Sequence, residues 1–182
     1  MSKSRKDLKQ AKREAFEAVV SEYEGPLLRY ASRILLDYDA AQDVVQNTFI
    51  KLFRRWKDEL TPSPQISSWL YRVAHNGAVD YLRKENRRRD LHQRQAQERR
   101  DFAPANRGEG FRISEDAHRA VGALHTLSLR EQQLVVLKVY EEKSYREISE
   151  ITGLTVSNVG YILHHAMKKM AATLKEMKER ES

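Results

Sequence analysis

The polar side chains with the clearest chemistry lie at the start of a helix predicted near the end of the chain. Thr155, Ser157, Asn158 and Tyr161 follow closely after Gly153. Asparagine can hydrogen bond to adenine through two atoms at once, and hydroxyl groups can reach bases or phosphates. The amino end of a helix also attracts phosphate. These side chains could therefore read DNA, although Thr155 could equally only cap the helix and Asn158 could be only solvated.

The predicted elements around these side chains form a pattern. A Ser-x-x-Glu capping box opens a short helix at Ser144, and Gly153 ends it. Thr155 can then cap a longer helix, whose inward residues are Val159, Ile162, Leu163, Ala166, Met170, Leu174 and Met177. A short helix, a glycine-containing turn and a longer helix are typical of a helix-turn-helix, whose second helix enters the major groove. Hydrophobic spacing alone is also compatible with a simple three-helix bundle.

A second capping box, from Ser128 to Glu131, opens the preceding helix. Its expected inward residues are Leu129, Leu134, Val136, Leu137 and Tyr140. We place this C-terminal domain at residues 113–182.

Four apolar stripes at helical spacing precede it, in a domain placed at residues 14–87. Gly25 and Pro26 are predicted to break the first two stripes into separate helices. Asp39 and Gln42 are predicted to form a capping box for a third helix, and a fourth covers residues 66–87. The third helix is expected to bury Val44, Val45, Thr48, Phe49, Leu52, Phe53 and Trp56, and the fourth Ile66, Trp69, Leu70, Val73, Ala74, Gly77 and Tyr81. The predicted fold class is therefore all-α, with two small helical domains.

The net charge of +7 is unevenly distributed. Residues 1–13, a basic N-terminal extension, carry six basic and one acidic side chain, and residues 83–112 carry ten and five. From 84 to 110 the large apolar side chains are Leu91 and Phe102 alone, too few for a core, so we predict a flexible linker at 88–112. Cationic arms beside near-neutral domains suit a polyanionic partner, although basic tails can also simply aid solubility.

Several classes of protein are excluded by the sequence. The chain has no cysteine, no Gly-rich phosphate loop and no Ser, His and carboxylate pattern, so we predict neither an enzyme nor a cofactor. His164 and His165 are adjacent, so their side chains diverge by about 100 degrees on a helix, and no metal site is expected. No apolar run approaches the roughly 20 residues of a membrane span, and no secretory signal opens the chain. A cytoplasmic protein is the simplest interpretation.

Four segments together resemble one known family over nearly the whole chain. DVVQNTFIKLF at 43–53 and SWLYRVAHNGAVDYLR at 68–83 resemble region 2 of bacterial extracytoplasmic-function (ECF) sigma factors. LSLREQQLVVL at 127–137 and SYREISEITGL at 144–154 resemble region 4 of the same family. The resemblance implies an initiation factor that binds core RNA polymerase and promoter DNA. Because anti-sigma antagonists are common in this family, such an antagonist is a further candidate partner.

The resemblance also implies roles for individual residues. The candidates for contact with the polymerase are Asp43, Gln46, Asn47, Phe49, Ile50 and Arg54, with Phe49 alternatively a core residue. Those for recognition and melting of the minus-10 element are Ser67, Ser68, Tyr71, Arg72, His75, Asn76, Arg83 and Lys84, with Trp69 expected in the core. Those for the minus-35 element are Arg130, Ser144, Arg146, Thr155, Ser157, Asn158, Tyr161, His165 and Lys168.

Two departures from the family pattern affect these roles. His75 stands where the family commonly has arginine. Gly160, Tyr161, Ile162, His165 and Met167 occupy the part of the recognition helix where relatives usually carry four basic residues and a serine. Weaker phosphate contacts are therefore expected there, with Arg130, Arg146, Lys168 and Lys169 as candidates to compensate.

Overall fold

The computed structural model describes residues 5–55, 60–96 and 115–180, and these divide between two compact units, Met1–Arg107 and Gly108–Ser182. The described part of the chain is helical, without strands. This agrees with the all-α fold class and with two helical units. The predicted linker is helical from 88 to 96, and its remainder lies outside the described residues. Trp56, predicted to be buried, also lies outside them.

Three helices build the first unit: α1 (Arg5–Leu35), α2 (Tyr38–Arg55) and α3 (Pro64–Ala96). Each packs against the other two. Two of the four predicted helices are thus one, because α1 continues through Pro26. A proline inside a helix costs about 3 kcal/mol. Val19, Leu27, Tyr30 and Ala31 are fully buried on either side of it, and their burial offsets that cost.

The caps of α2 and α3 come from residues that precede each helix. Asp37 Oδ1 accepts a hydrogen bond from the Ala40 backbone N–H at 3.0 Å, so Asp37, and not Asp39, caps α2. Ser63 Oγ accepts from the Ile66 N–H at 3.3 Å at the start of α3. The predicted Asp39–Gln42 capping box is therefore wrong in register.

The second unit contains α4 (Glu115–His125), α5 (Leu129–Val135), which continues as a π-helix (Val136–Tyr140), α6 (Tyr145–Thr152) and α7 (Val156–Arg180). Helix α7 packs against α4, α5 and α6. Its buried side chains are Val159, Leu163, Ala166 and Met170, whereas Ile162, Leu174 and Met177 are half-buried. In α5 and the π-helix, Leu134, Val136 and Leu137 are buried as predicted, while Leu129 is half-buried and Tyr140 is exposed.

Both predicted capping boxes are confirmed. In each, the serine side chain accepts from the glutamate N–H and the glutamate carboxylate accepts from the serine N–H, at Ser128 and Glu131 and again at Ser144 and Glu147. Gly153 ends α6 at a φ of 74°, in the left-handed region that favours glycine. The helix-turn-helix of α6 and α7 is therefore confirmed.

Candidate nucleic-acid and polymerase interfaces

The predicted recognition surface of the second unit lies on the exposed face at the start of α7. Thr155 caps the helix, since its Oγ1 accepts from the Asn158 N–H at 3.3 Å. Ser157, Asn158, Tyr161, His165 and Lys168 are all exposed. Tyr161 is 67% exposed, and its ring centroid lies 4.3 Å from that of His165. Five predicted minus-35 residues thus share one helix face with Thr155 at its amino end.

The remaining predicted minus-35 residues lie on other elements. Arg130 is exposed on α5. Ser144 caps α6, and its hydroxyl donates to Glu147 Oε2 at 2.6 Å. Arg146 is exposed, and its Nε lies 3.8 Å from Glu150 Oε1. The amino ends of α5 and α6 thus carry one exposed arginine each.

Tyr145 holds α6 against α7 and was missed by the sequence-based prediction. A Cβ built on Gly160 would lie 3.5 Å from the Tyr145 ring, an ordinary van der Waals contact, so the ring packs beside this position of α7. The ammonium group of Lys138 lies 5.5 Å from the centroid of the same ring. An isolated glycine inside a helical pattern, here Gly160, is the signal that could have indicated a packing neighbour at this position.

Lys169, a predicted compensating cation, is engaged within the second unit. Its Nζ lies 2.6 Å from Glu131 Oε1 on α5. Lys168, its neighbour, is exposed. The charge of Lys169 is therefore paired with Glu131, although the Lys169 side chain is still 60% exposed.

In the first unit, a groove of about 800 Å³ runs between α1 and α2. Five of the predicted polymerase-binding residues line it: Asp43, Gln46, Phe49, Ile50 and Arg54. Asn47 is exposed on α2 and donates through Nδ2 to the Asp43 carbonyl at 2.8 Å. The apolar wall of the groove is supplied by both helices.

Phe49 and Phe53 were both predicted to face inward, but they differ in exposure. Phe49 is buried, which agrees with its alternative role as a core residue. Phe53 is 54% exposed, although its position was predicted to face inward, and its ring packs edge-on against Phe16 at 5.2 Å. Phe16 also contacts Phe49, at 6.4 Å. The three rings join α1 to α2 along the groove.

Three predicted minus-10 residues, Ser67, Tyr71 and His75, are buried in the first unit. The Tyr30 hydroxyl and His75 Nδ1 form a hydrogen bond of 2.9 Å, and the Tyr30 and Tyr71 rings pack edge-on at 5.6 Å. A buried polar side chain is stable when such a partner satisfies it. These three residues face the core and not the exposed side of α3, and their role at the minus-10 element stays a prediction.

The other predicted minus-10 residues remain accessible on α3. Arg72, Asn76, Arg83 and Lys84 are exposed, and Ser68 is half-buried. Trp69, expected in the core, is half-buried and lines a second concavity of about 480 Å³ with Lys51, Arg54, Arg55, Val73 and Asn76. An aromatic ring beside cationic and amide groups can stack a single-stranded base while the cations follow the backbone. Trp69, Lys51 and Arg55 are thus additions to the candidate surface.

The described part of the chain, residues 5–55, 60–96 and 115–180, has no group of three or more His, Asp or Glu side chains suited to a metal. A search of the same residues finds no helix long and apolar enough to cross a membrane.

The helix-turn-helix of the second unit is typical of DNA-binding proteins. Comparison with known proteins gives the family. Residues 19–88 match the family Sigma-70 region 2, and residues 118–170 match Sigma-70, region 4. The chain belongs to the ECF family of RNA polymerase sigma factors, which are transcription initiation factors and not enzymes.

The curated relatives match over most of their length. RNA polymerase sigma factor SigV of Bacillus subtilis is 26% identical over 91% of this chain and 95% of its own. The ECF RNA polymerase sigma-E factor of Haemophilus influenzae is 29% identical over 84% of this chain and 83% of its own.

Two solved structures have a similar fold. The sigma factor RpoE of Bartonella quintana, in complex with the anti-sigma factor NepR, has a TM-score of 0.61 at 20% identity, covering 93% of this chain and 98% of that one. CnrH, in complex with the cytosolic domain of CnrY, has a TM-score of 0.62 at 22% identity, covering 92% and 94%.

Proposed function

We propose that this sigma factor binds core RNA polymerase through the α1 and α2 groove, recognises and melts the minus-10 element with the exposed face of α3, and binds the minus-35 element with α7. The observation that carries the proposal is the presence, in one chain, of an α7 face with exposed base-reading groups and an α3 face with the Trp69 concavity. A helix-turn-helix protein that acts without polymerase has no use for the second surface. The proposed site of action is the cytoplasm.

An anti-sigma factor is proposed as a regulatory partner. One solved structure of similar fold is a complex with an anti-sigma factor. The groove between α1 and α2 supports the proposal because exposed apolar side chains, Ile50 and Phe53 among them, line it. Exposed apolar surface of this kind is typical of protein interaction sites.

In vitro transcription tests the proposed function. The full chain is added to bacterial core polymerase with genomic DNA fragments, and transcript starts are mapped. We expect specific initiation only when both proteins are present, and weak DNA binding by the chain alone. Ile50→Asp is expected to abolish initiation because it places a carboxylate on the apolar wall of the groove. Glu22→Ala, at an exposed position of α1 that does not line the groove, is the matched control.

A polymerase-independent DNA-binding regulator is the competing function. It requires tight, sequence-specific binding by the chain alone and no stimulation of transcription when polymerase is added. That pair of results would reject the proposal.

A further inference from the structure

The first turns of α7 carry aromatic side chains but no lysine or arginine. From Val156 to Met167 the helix has no lysine or arginine, and Lys168 is the first. Contacts between cations and phosphates supply the sequence-independent part of DNA binding. The first turns of α7, which precede Lys168, therefore depend on hydrogen bonds and apolar contacts with the base edges.

Tyr161 is the most exposed large apolar side chain of the described residues. Its ring contacts that of His165, one turn further along, with an angle of 57° between the ring planes. His165 in turn contacts the ring of His164, with centroids 5.5 Å apart. The contact with His165 restricts the Tyr161 side chain before any DNA is bound, which reduces the entropy lost on binding.

Asn158 lies on the same face as this ring pair. Residues three and four positions apart are neighbours on a helix surface, so Asn158, Tyr161 and His165 form a continuous row. All three are exposed. The rise from Asn158 to Tyr161 is about 4.5 Å, at about 1.5 Å per residue. This spans one to two base-pair steps of about 3.4 Å.

The base edges of the major groove present a single kind of apolar group, the C5 methyl of thymine. An exposed, pre-positioned ring in a helix that enters this groove therefore has one apolar partner available. Resting on the proposed function of α7, we propose that the Tyr161 ring packs on a thymine methyl of the upstream promoter element. Asn158 binds an adenine one or two base pairs away, and His165 is the positioning residue for the Tyr161 ring.

The test uses the full chain with core polymerase. A promoter library with a randomised upstream element is selected for binding, and each thymine of the selected element is then replaced by uracil, which lacks the methyl group. We expect one replacement to weaken binding about fourfold, the factor that corresponds to burial of one methyl-sized group. Tyr161→Ala is expected to bind thymine and uracil DNA equally.

Three further variants separate the ring from its hydroxyl and test the role of His165. Tyr161→Phe should retain the preference for thymine, because the ring makes the contact. His165→Ala should reduce the preference, and His165→Phe should restore it by stacking. Met167→Ala is the matched control, because Met167 is exposed on α7 but is neither three nor four positions from Asn158, Tyr161 or His165. It should leave the preference unchanged.

The possible failures are distinguishable. If the upstream element is selected in an Asn158-dependent manner but no uracil replacement weakens binding, the methyl contact is wrong and the proposed function stands. If Tyr161→Phe behaves as Tyr161→Ala, the hydroxyl makes the contact, which also overturns the inference. If no upstream element is selected at all, the proposed role of α7 itself is rejected.

Discussion

Lys169 Nζ lies 2.6 Å from Glu131 Oε1 and so ties the recognition helix α7 to the amino end of α5. The other carboxylate oxygen, Glu131 Oε2, accepts from the backbone N–H of Ser128 at 2.9 Å and from its hydroxyl at 2.7 Å. The Glu131 side chain is 11% exposed and that of Lys169 is 60% exposed. One carboxylate thus caps α5 and fixes α7 against it.

This arrangement predicts an acid-sensitive second unit. The hydrogen bond from Lys169 is the main cause that lowers the pKa of Glu131 from 4.5 to about 2, with the Ser128 hydrogen bonds adding to it and burial opposing it. A carboxylate with a depressed pKa stabilises the fold above its unfolded pKa and loses that contribution as the pH falls. We expect the contribution of Glu131 to be complete above about pH 4.5 and to disappear toward pH 2. Chemical denaturation between pH 7 and pH 2.5 measures it.

Glu131→Gln is expected to lower the free energy of unfolding at pH 7 by about 1 to 2 kcal/mol, because it removes hydrogen bonds to a charged group. The loss should be smaller at pH 2.5 than at pH 7. Lys175→Ala is the control, because it removes an exposed ion pair in which Lys175 Nζ lies 3.8 Å from Glu179 Oε1. It should cost only a few tenths of a kcal/mol. Equal losses at both pH values would contradict the assignment.

We expect different mutations in α7 to affect the reading of bases and the contacts with phosphates. Asn158→Ala should reduce the free energy of binding to the preferred base by about 1 to 3 kcal/mol, and it should relax the sequence preference at that base pair. Lys168→Ala should weaken binding to all sequences alike and reduce its salt dependence. The measurement is promoter selection with holoenzyme at two salt concentrations. An unchanged sequence profile for Asn158→Ala would place base reading elsewhere.

Trp69 should report on single-stranded DNA. The chain has two tryptophans, Trp56 and Trp69, so Trp56→Phe leaves Trp69 as the single indole reporter. A tryptophan analogue excited at longer wavelength is incorporated at position 69, so that its emission is separated from that of the tryptophans of core polymerase. Stacking of a base on this ring is expected to quench the emission when holoenzyme binds a single-stranded minus-10 oligonucleotide. Trp69→Ala should reduce promoter opening, measured by permanganate reactivity of unpaired thymines, with a cost of about 1 to 3 kcal/mol.

Val79→Ala is a suitable control for that experiment, because Val79 is a half-buried α3 residue that does not line the Trp69 concavity. It should leave promoter opening nearly unchanged. If Trp69→Ala and Val79→Ala open promoters equally well, Trp69 has no role in base capture.

The residues that were predicted correctly are those governed by local sequence. The Ser128 and Ser144 capping boxes and the Gly153 turn depend on side chains within a few positions, and the structure contains all three. Residues whose role depends on a distant partner were assigned less well. Helix α1 continues through Pro26 because residues on either side of the proline are buried against the other helices. The helix propensity of the local sequence does not reveal this packing.

Helix α3 shows why the site was harder to predict than the fold. The predicted stripe included Trp69 and Val73, both of which are half-buried, whereas the core side of α3 includes Tyr71 and His75. Hydrophobicity alone favours Trp69 and Val73 as the core residues. Tyr71 and His75 are stable in the core because Tyr30, more than forty positions earlier, contacts both of them. A single sequence does not reveal that partner.

The buried pair of Tyr30 and His75 predicts a stability effect without a direct DNA effect. Tyr30→Phe removes the hydroxyl bonded to His75 Nδ1 and should cost about 1 to 2 kcal/mol of unfolding free energy. At temperatures below its unfolding transition, the variant should open promoters as the wild type does. Tyr23→Phe is the matched control, because the Tyr23 hydroxyl makes only a long hydrogen bond, 3.3 Å, to the Ser63 carbonyl. A promoter-opening defect in folded Tyr30→Phe would show that the pair shapes the DNA surface.

Limited proteolysis tests the prediction that the two units fold separately and are joined by a tether. Helix α3 ends at Ala96 and α4 begins at Glu115, and the sequence between them contains Arg99, Arg100, Arg107 and Arg112. Trypsin requires an unfolded segment, and cleavage within packed helices requires local unfolding first. We expect early cleavage at these four arginines and two stable fragments, identified by mass spectrometry. Replacement of all four by glutamine should remove the early cuts without a change in helix content. Resistance of the unmodified chain at these arginines, at trypsin concentrations that cut α3, would contradict the tether.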